Sequence, residues 1–572
     1  MGTDDNYLIP RRYWGWLGNR RAIAVILWLI TLTTAAHHLH HARTWFATKS
    51  LAPEHLRRAD GNEGHALIDF GGQWVMGRML VLGHGRELYH RDRQREVVEA
   101  GYPLEWQAPI QRDPAIRAAH RNPFAREEDD LVRVRPDADR LMFWFMGSDP
   151  PEGNGIGGPL YPPVHAFYYA PIGLFEHPRD AYPVFQVVAL LFAFAAGLGI
   201  SALTGYRIGW SVATLAVLFF PGCRGGLDLG QNPTITLTIA VWGWVLAARN
   251  RDLAGGMVWG LFAFKPVWAL AFFIVPLLMG RWRFCLAMVG MGAALGLLTL
   301  PFVGIQSWFD WLQVGREAAA LYNVNENWIH LCRDLQGLPR RFLLNFSLPE
   351  AERDTPLAKR IAWGLWVVVF ATTALIYRLR ADRRPTGLGA GFLLLGAFLT
   401  CYRFMYYDML LALVGIAALF AEPSRFFRTR TFRIPNRAEN PLEPEPHSTQ
   451  SDPLAPRLIG YVNSFPLTVL LGLFLIDNVL NLWAMEGTVA FGGLARDVTT
   501  PEGGTGVFVP RLTAAFNLDY PWDTGLVILL WMWCGRRLLM RHSDQNSSSG
   551  IPHPPPLERL ETCLNPGKAL AP

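Results

Sequence analysis

Long apolar runs separated by short polar connections dominate this chain, and their lengths decide its class. The runs fall roughly at 22–38, 182–204, 208–222, 232–248, 254–265, 267–280, 284–302, 359–378, 386–400, 404–421, 459–483 and 520–538. A straight helical crossing of the hydrocarbon core takes about 20 residues. The longer runs therefore predict membrane-spanning helices. The shorter ones, notably around Lys265 and Cys401, predict half-length helices surrounded by protein rather than lipid. The expected fold is an all-α polytopic membrane protein with about twelve transmembrane helices. A short cytoplasmic N-terminus (1–21) precedes a core (22–421), a Pro- and Glu-containing linker (422–457), a C-terminal hairpin (458–540) and a polar tail (541–572).

Charge orients these spans. Arg11, Arg12, Arg20 and Arg21 precede the first run, an arrangement resembling a signal peptide. The many later runs make a retained first helix the better reading. With the N-terminus inside, alternation puts every basic-rich short connection on the same side: Arg207; Arg249 and Arg251; Arg281 and Arg283; Arg378 to Arg384; Arg425 to Arg437; Arg536, Arg537 and Arg541. That is the positive-inside pattern of an inner-membrane protein with both termini cytoplasmic. Two long connections, about 40–162 and 303–358, then face outside, with a third, Gly- and Thr-rich, at about 484–518. Within the first, Gln73 to Leu82 is apolar on one face and is expected to lie on the membrane surface. Tyr161 to Pro171 is too short to span and reads as an interfacial or re-entrant helix. No internal repeat is visible.

Composition sharpens the picture in two ways. Apolar side chains make up 51% and charged ones 17%, which excludes a disordered or collagenous chain. The net charge of +6 comes without a basic stripe interleaved with aromatics, so no nucleic-acid partner is expected. The six cysteines form no CxxC pair, and neither a metal site nor a disulfide framework is read from them. His37, His38, His40 and His41 cluster at the external end of the first run, without a carboxylate placed to complete a site. No cofactor is expected.

Polar residues near the external ends of the spans converge on one side. They are Asp69, Tyr161 and His165, Gln231 and Asn232, Lys265, the segment Asn323 to Arg333 that includes Asn327, and Arg403 to Asp408. Polar groups between apolar spans usually face a cavity and mark a site. Each also has a structural alternative. Asp69 could cap a helix starting near Gln73, and Gln231 and Asn232 could cap the fourth span. Tyr161 and His165 could be interfacial anchors. Lys265 and Arg403 are cations flanked by apolar sequence, at a cost of a few kcal/mol unless paired or ligand-facing, and Arg403 could pair with Asp408. Arg333 and Arg341 are further basic candidates.

The ordered set Asp69-Phe70-Gly71-Gly72-Gln73-Trp74, Gly85 to Tyr89, Tyr161-Pro162-Pro163 with Pro171, Gly230-Gln231-Asn232, Ala254-Gly255-Gly256 with Gly260, Lys265-Pro266 and Arg281-Trp282-Arg283 resembles glycosyltransferase family 87. The resemblance covers roughly residues 20–420. It departs at an insertion, about 100–158, at Asn323 to His330, which is only loosely like the family's Asn-rich segment, and at the two extra C-terminal spans. It implies a GT-C type bundle with a large external first loop. It also implies a hexosyltransferase that moves a sugar, mannose foremost, from a polyprenyl-phosphate donor to a lipid, glycan or protein hydroxyl outside the cytoplasm. On that reading Asp69 is the general base, Lys265 and Arg403 hold the donor phosphate, and Tyr161, His165, Gln231, Asn232 and Asn327 contact substrate. A transporter or flippase of a lipid-phosphate substrate is the alternative class; it commonly shows inverted repeats, and none is found.

Overall fold

The computed structural model describes residues 20–46, 65–101, 156–324, 326–346, 348, 352–353, 355–421, 465–475, 498–499, 505–506 and 521–548. The predicted N-terminal segment up to residue 19, most of the 100–158 insertion, the 422–457 linker and the tail beyond 548 lie outside the described residues. The described part is almost wholly helical; two paired two-residue strands, Val498–Thr499 and Thr505–Gly506, are the exception.

In chain order the helices are α1 (Arg20–Phe46), α2 (His65–Val81), α3 (Arg91–Gly101), α4 (Pro163–Gly173), α5 (Pro178–Leu203), α6 (Trp210–Phe219), α7 (Cys223–Leu229), α8 (Pro233–Ala248) and α9 (Asp252–Gly260). They continue with α10 (Pro266–Met279), α11 (Trp282–Val303), α12 (Gln306–Leu321), α13 (Glu326–Leu331), α14 (Gly337–Leu343) and α15 (Pro356–Arg380). The last are α16 (Leu388–Leu399), α17 (Ala412–Phe420), α18 (Phe465–Phe474) and α19 (Trp522–Ser548). Among the described residues, α1, α5, α11 and α15 are long and apolar enough to cross a membrane, and α6 with α7, bent by 67°, is a fifth span if counted as one.

The other apolar helices have 10–17 residues, which at about 1.5 Å per residue is less than the hydrocarbon thickness. Several are shielded by protein. Every residue of α16 is buried, so its short length does not strand its ends in lipid. The long helices show the opposite pattern: Leu29 on α1, Leu286 and Leu297 on α11, and Val368 and Leu379 on α15 are each more than half exposed. An apolar face of that kind suits lipid rather than water. The last helix runs on to Ser548, into the sequence read by composition as tail.

Glycines set the closest helix crossings. A Cβ on Gly77 of α2 would lie 2.1 Å from the Tyr169 carbonyl oxygen, and one on Gly173 of α4 would lie 2.2 Å from the Gly77 carbonyl carbon. Backbone meets backbone there, which only residues without side chains permit. In the same way Gly256 and Gly260 seat α9 on Phe284 and Met291 of α11. The surface placement expected for Gln73 to Leu82 is thereby corrected. Gln73, Trp74, Val75, Met76 and Met79 are at most 1% exposed, because α4 packs over them.

Candidate active site

Asp69 is the fifth residue of α2, so it does not cap that helix. One turn on, Gln73 shares its face. The Gln73 amide nitrogen donates to the Gly230 carbonyl (2.7 Å) and to the backbone carbonyl of Asp69 (3.2 Å). Gly230 ends α7 in the left-handed region (φ +64°), and a Cβ there would lie 2.7 Å from the Cβ of Phe70. A glycine is what lets this turn approach α2 beside Asp69. The turn delivers Gln231, whose Nε2 donates to Asp69 Oδ1 at 2.6 Å.

Asn232 stands at the N-cap position of α8, but its side chain does not cap the helix. It reaches sideways instead. Its Nδ2 donates to Gln73 Oε1 (3.2 Å), and its Oδ1 accepts from Lys265 Nζ (3.2 Å). Lys265 lies where the short 3-10 turn Leu261–Phe264 gives way to α10, whose first residue is Pro266. Its ammonium pairs with Asp408 Oδ1 at 2.7 Å. Asp408 belongs to the turn Tyr406–Leu411 before α17. Burying either charge alone would be costly, and the pair offsets that cost. The alternative of an Arg403–Asp408 pair is therefore corrected: Asp408 serves Lys265.

Tyr161 joins the same network from the segment before α4. Its hydroxyl donates to Gln231 Oε1 at 2.9 Å, and its own carbonyl accepts from the Tyr89 hydroxyl. Burial, with the Asp69 charge adding to it, pushes the Tyr161 phenol well above its ordinary range, so it stays a donor at any physiological pH. Its ring stacks on His165 at 3.9 Å, and His165 stacks in turn on Tyr169 at 4.4 Å. His165 is fully buried. Neither residue is an exposed interfacial anchor.

Arg403 sits in a second cluster nearby. It adopts φ +59°, donates to the Tyr322 carbonyl (2.9 Å) and to Asn323 Oδ1 (2.5 Å), and lies over the rings of Tyr322 and Tyr402. Tyr322 is near enough to both Arg403 and Asp69 to feel their charges, which ties the two clusters together. The backbone around Arg403 is held by Asp334, which accepts from the Phe404 amide (3.1 Å), and by the Arg333 amide, which donates to the Phe404 carbonyl (3.0 Å). Arg333 pairs with Asp523 at 3.0 Å, and Thr524 donates to the Arg333 carbonyl. Arg341 gathers the carbonyls of Ile329, His330 and Cys332 at the end of α13. Arg333 and Arg341 thus have structural work. Burial, with the charge of Arg403 adding to it, lowers Arg340 to about 10, still cationic at neutral pH.

The sequence candidates divide accordingly. Asp69, Tyr161, Gln231, Asn232 and Lys265 are brought together by direct hydrogen bonds, with His165 stacked on the edge and Arg403 one tyrosine away. Asn327 is in α13, and its side chain lies outside the described residues. Among the described residues no group of three or more His, Cys, Asp or Glu could hold a metal ion, the first-helix histidines included. Sequence reasoning missed Gln73 as a member of the cluster, and the Lys265–Asp408 pair was not among its alternatives. The four-residue spacing of Asp69 and Gln73 was the available signal.

Residues 160–402 match the model of glycosyltransferase family 87. The match covers less than half of the chain, and over these residues the chain is similar to that family. The match supports a membrane glycosyltransferase, using a sugar donor and an acceptor, and the long apolar helices are consistent with a membrane protein. The matched segment holds Tyr161, Gln231, Asn232 and Lys265; Asp69 and Asp408 lie outside it and enter the family 87 segment only through their hydrogen bonds. No curated protein and no solved structure gives a match.

Proposed function

We propose that this protein transfers a hexose, mannose foremost, from a polyprenyl-phosphate donor to a hydroxyl of a lipid, glycan or protein, on the non-cytoplasmic face of an inner membrane and within a GT-C type bundle. The observation that carries the reading is the Gln231–Asp69 hydrogen bond. It joins the carboxylate of Asp69, the proposed base, to the polar centre of the matched segment.

The chemistry follows from what such a transfer needs. The acceptor oxygen attacks the anomeric carbon as its proton passes to a carboxylate oxygen of Asp69. The bond from that carbon to the donor phosphate oxygen breaks, and the phosphate leaves with the electron pair. A single displacement of this kind inverts the sugar carbon. The leaving phosphate is held by Arg403, with Lys265 as second cation. An ammonium has three donors, and two of those on Lys265 go to Asp408 and Asn232. His165 and Asn327 flank the sugar or acceptor. The exposed apolar faces of α11 and α15 suit a polyprenyl chain.

The test is transfer by purified protein in nanodiscs, offered radiolabelled polyprenyl-phosphate mannose, polyprenyl-phosphate glucose and a nucleotide-linked mannose in turn, with a native lipid extract as acceptor. Transfer from a polyprenyl-phosphate sugar alone is expected. Transfer from the nucleotide sugar alone contradicts the donor assignment.

A further inference from the structure

We propose that Gln231, oriented by the Tyr161 hydroxyl, is a positioning residue for Asp69: it engages one carboxylate oxygen and so fixes the orientation in which the carboxylate meets the acceptor's proton. This rests on Asp69 being the base. It departs from the reading of Gln231 and Tyr161 as substrate contacts.

The orientation of the Gln231 amide is settled by its neighbours. A carboxylate only accepts, so the side facing Asp69 must be the NH2 group, at 2.6 Å. The carbonyl side then faces Tyr161, whose hydroxyl donates to it at 2.9 Å. A flipped amide would set its carbonyl against the carboxylate. Both ends of the arrangement are fixed from outside. Gln231 is 2% exposed, and its backbone NH donates to Gly226 (2.8 Å). The Tyr161 ring is stacked on buried His165. One NH and one carbonyl lone pair of the amide are committed to Asp69 and Tyr161, and together they set the face that the amide turns to Asp69.

The hydrogen bond fixes the rotation of the Asp69 carboxylate about its last bond, and so the direction from which a proton reaches it. The Lys265–Asp408 pair stands beyond Asn232.

The experiment measures kcat and donor KM for polyprenyl-phosphate mannose with Gln231→Met, Gln231→Glu and Tyr161→Phe beside wild type. A misplaced carboxylate lowers kcat by about tenfold or more without loosening the donor. Gln231→Met is expected to show that fall with donor KM within about threefold of wild type, Gln231→Glu a larger fall, because it sets a second carboxylate against Asp69, and Tyr161→Phe a smaller one. A rise in KM with kcat unchanged in both Gln231→Met and Tyr161→Phe overturns the proposal and returns Gln231 to a substrate contact. Failure of the base reading looks different: Asp69→Asn would keep the wild-type rate, and both claims would fall together.

Discussion

Lys265 and Asp408 make the sharpest test of how this site is held. Their side chains are 11% and 3% exposed and their charged atoms are 2.7 Å apart. At an effective dielectric constant of about 20, Coulomb attraction at that distance is about 6 kcal/mol. Removing two ions from water costs several kcal/mol each, so the pair as a whole is close to neutral for stability. Removing one partner is different, because the other charge stays buried without compensation. Lys265→Met and Asp408→Leu are each expected to lower stability by about 3–5 kcal/mol. The double variant should cost no more than either single variant, which requires a coupling energy of at least about 3 kcal/mol. Unfolding by SDS titration of detergent-solubilised protein, followed by Trp fluorescence, measures all four corners of the cycle. The double variant should nevertheless remain inactive, since Asn232 has lost its ammonium donor and the donor phosphate its second cation. Single variants that each cost under about 1 kcal/mol, or effects that simply add, would refute the reasoning.

Three further outcomes follow from other parts of the fold. Asp523→Asn leaves the Arg333 guanidinium buried without its carboxylate, and should cost about 3–5 kcal/mol in the same SDS titration; Asp523→Glu should keep most of the stability. Gly77→Val must push α2 from α4, because its Cβ would lie 2.1 Å from a backbone oxygen, whereas Gly290→Ala meets nothing within 4 Å. The first should abolish a sharp thermal transition and the second should leave it unchanged. Burial pushes the Cys332 thiol up to about 12, with the Asp334 charge adding to it. The thiolate that reacts is therefore scarce at pH 8.5, and iodoacetamide should label Cys332 far more slowly in native protein than in SDS, read by peptide mass spectrometry; equal rates would contradict the burial.

Much of this architecture was legible because its signals are local. Apolar run lengths marked α1, α5, α6, α8 to α11 and α15 to α19, and the breaks at Lys265 and near Cys401 fall where α10 begins and α16 ends; α12 to α14 lie in a stretch read as an external connection. What could not be read was how many of those helices span, since that depends on what surrounds a short one. α16 looks like any other apolar run until its complete burial is known. The Gln73 segment failed for a related reason: an apolar face fits a membrane surface or another helix equally well, and Gly77 and Gly173 decided for α4. In the site, residue types and order led to several residues that the fold brings together, but pairing did not follow from proximity in sequence. Asp408 is five residues from Arg403, yet it serves Lys265, which a different helix break delivers. Asn232 occupies a cap position while its side chain does other work.

The central claim is that Asp69 takes the acceptor's proton. It is tested most directly by labelled-mannose transfer from polyprenyl-phosphate mannose in membranes expressing wild type or Asp69→Asn at matched levels, with binding of the donor measured in parallel. Loss of a general base removes about two to four powers of ten in rate. The account predicts a fall of that size with donor binding retained, since the amide keeps a carbonyl where the carboxylate oxygen was and the donor phosphate contacts are untouched. Transfer by Asp69→Asn within about threefold of wild type would contradict it.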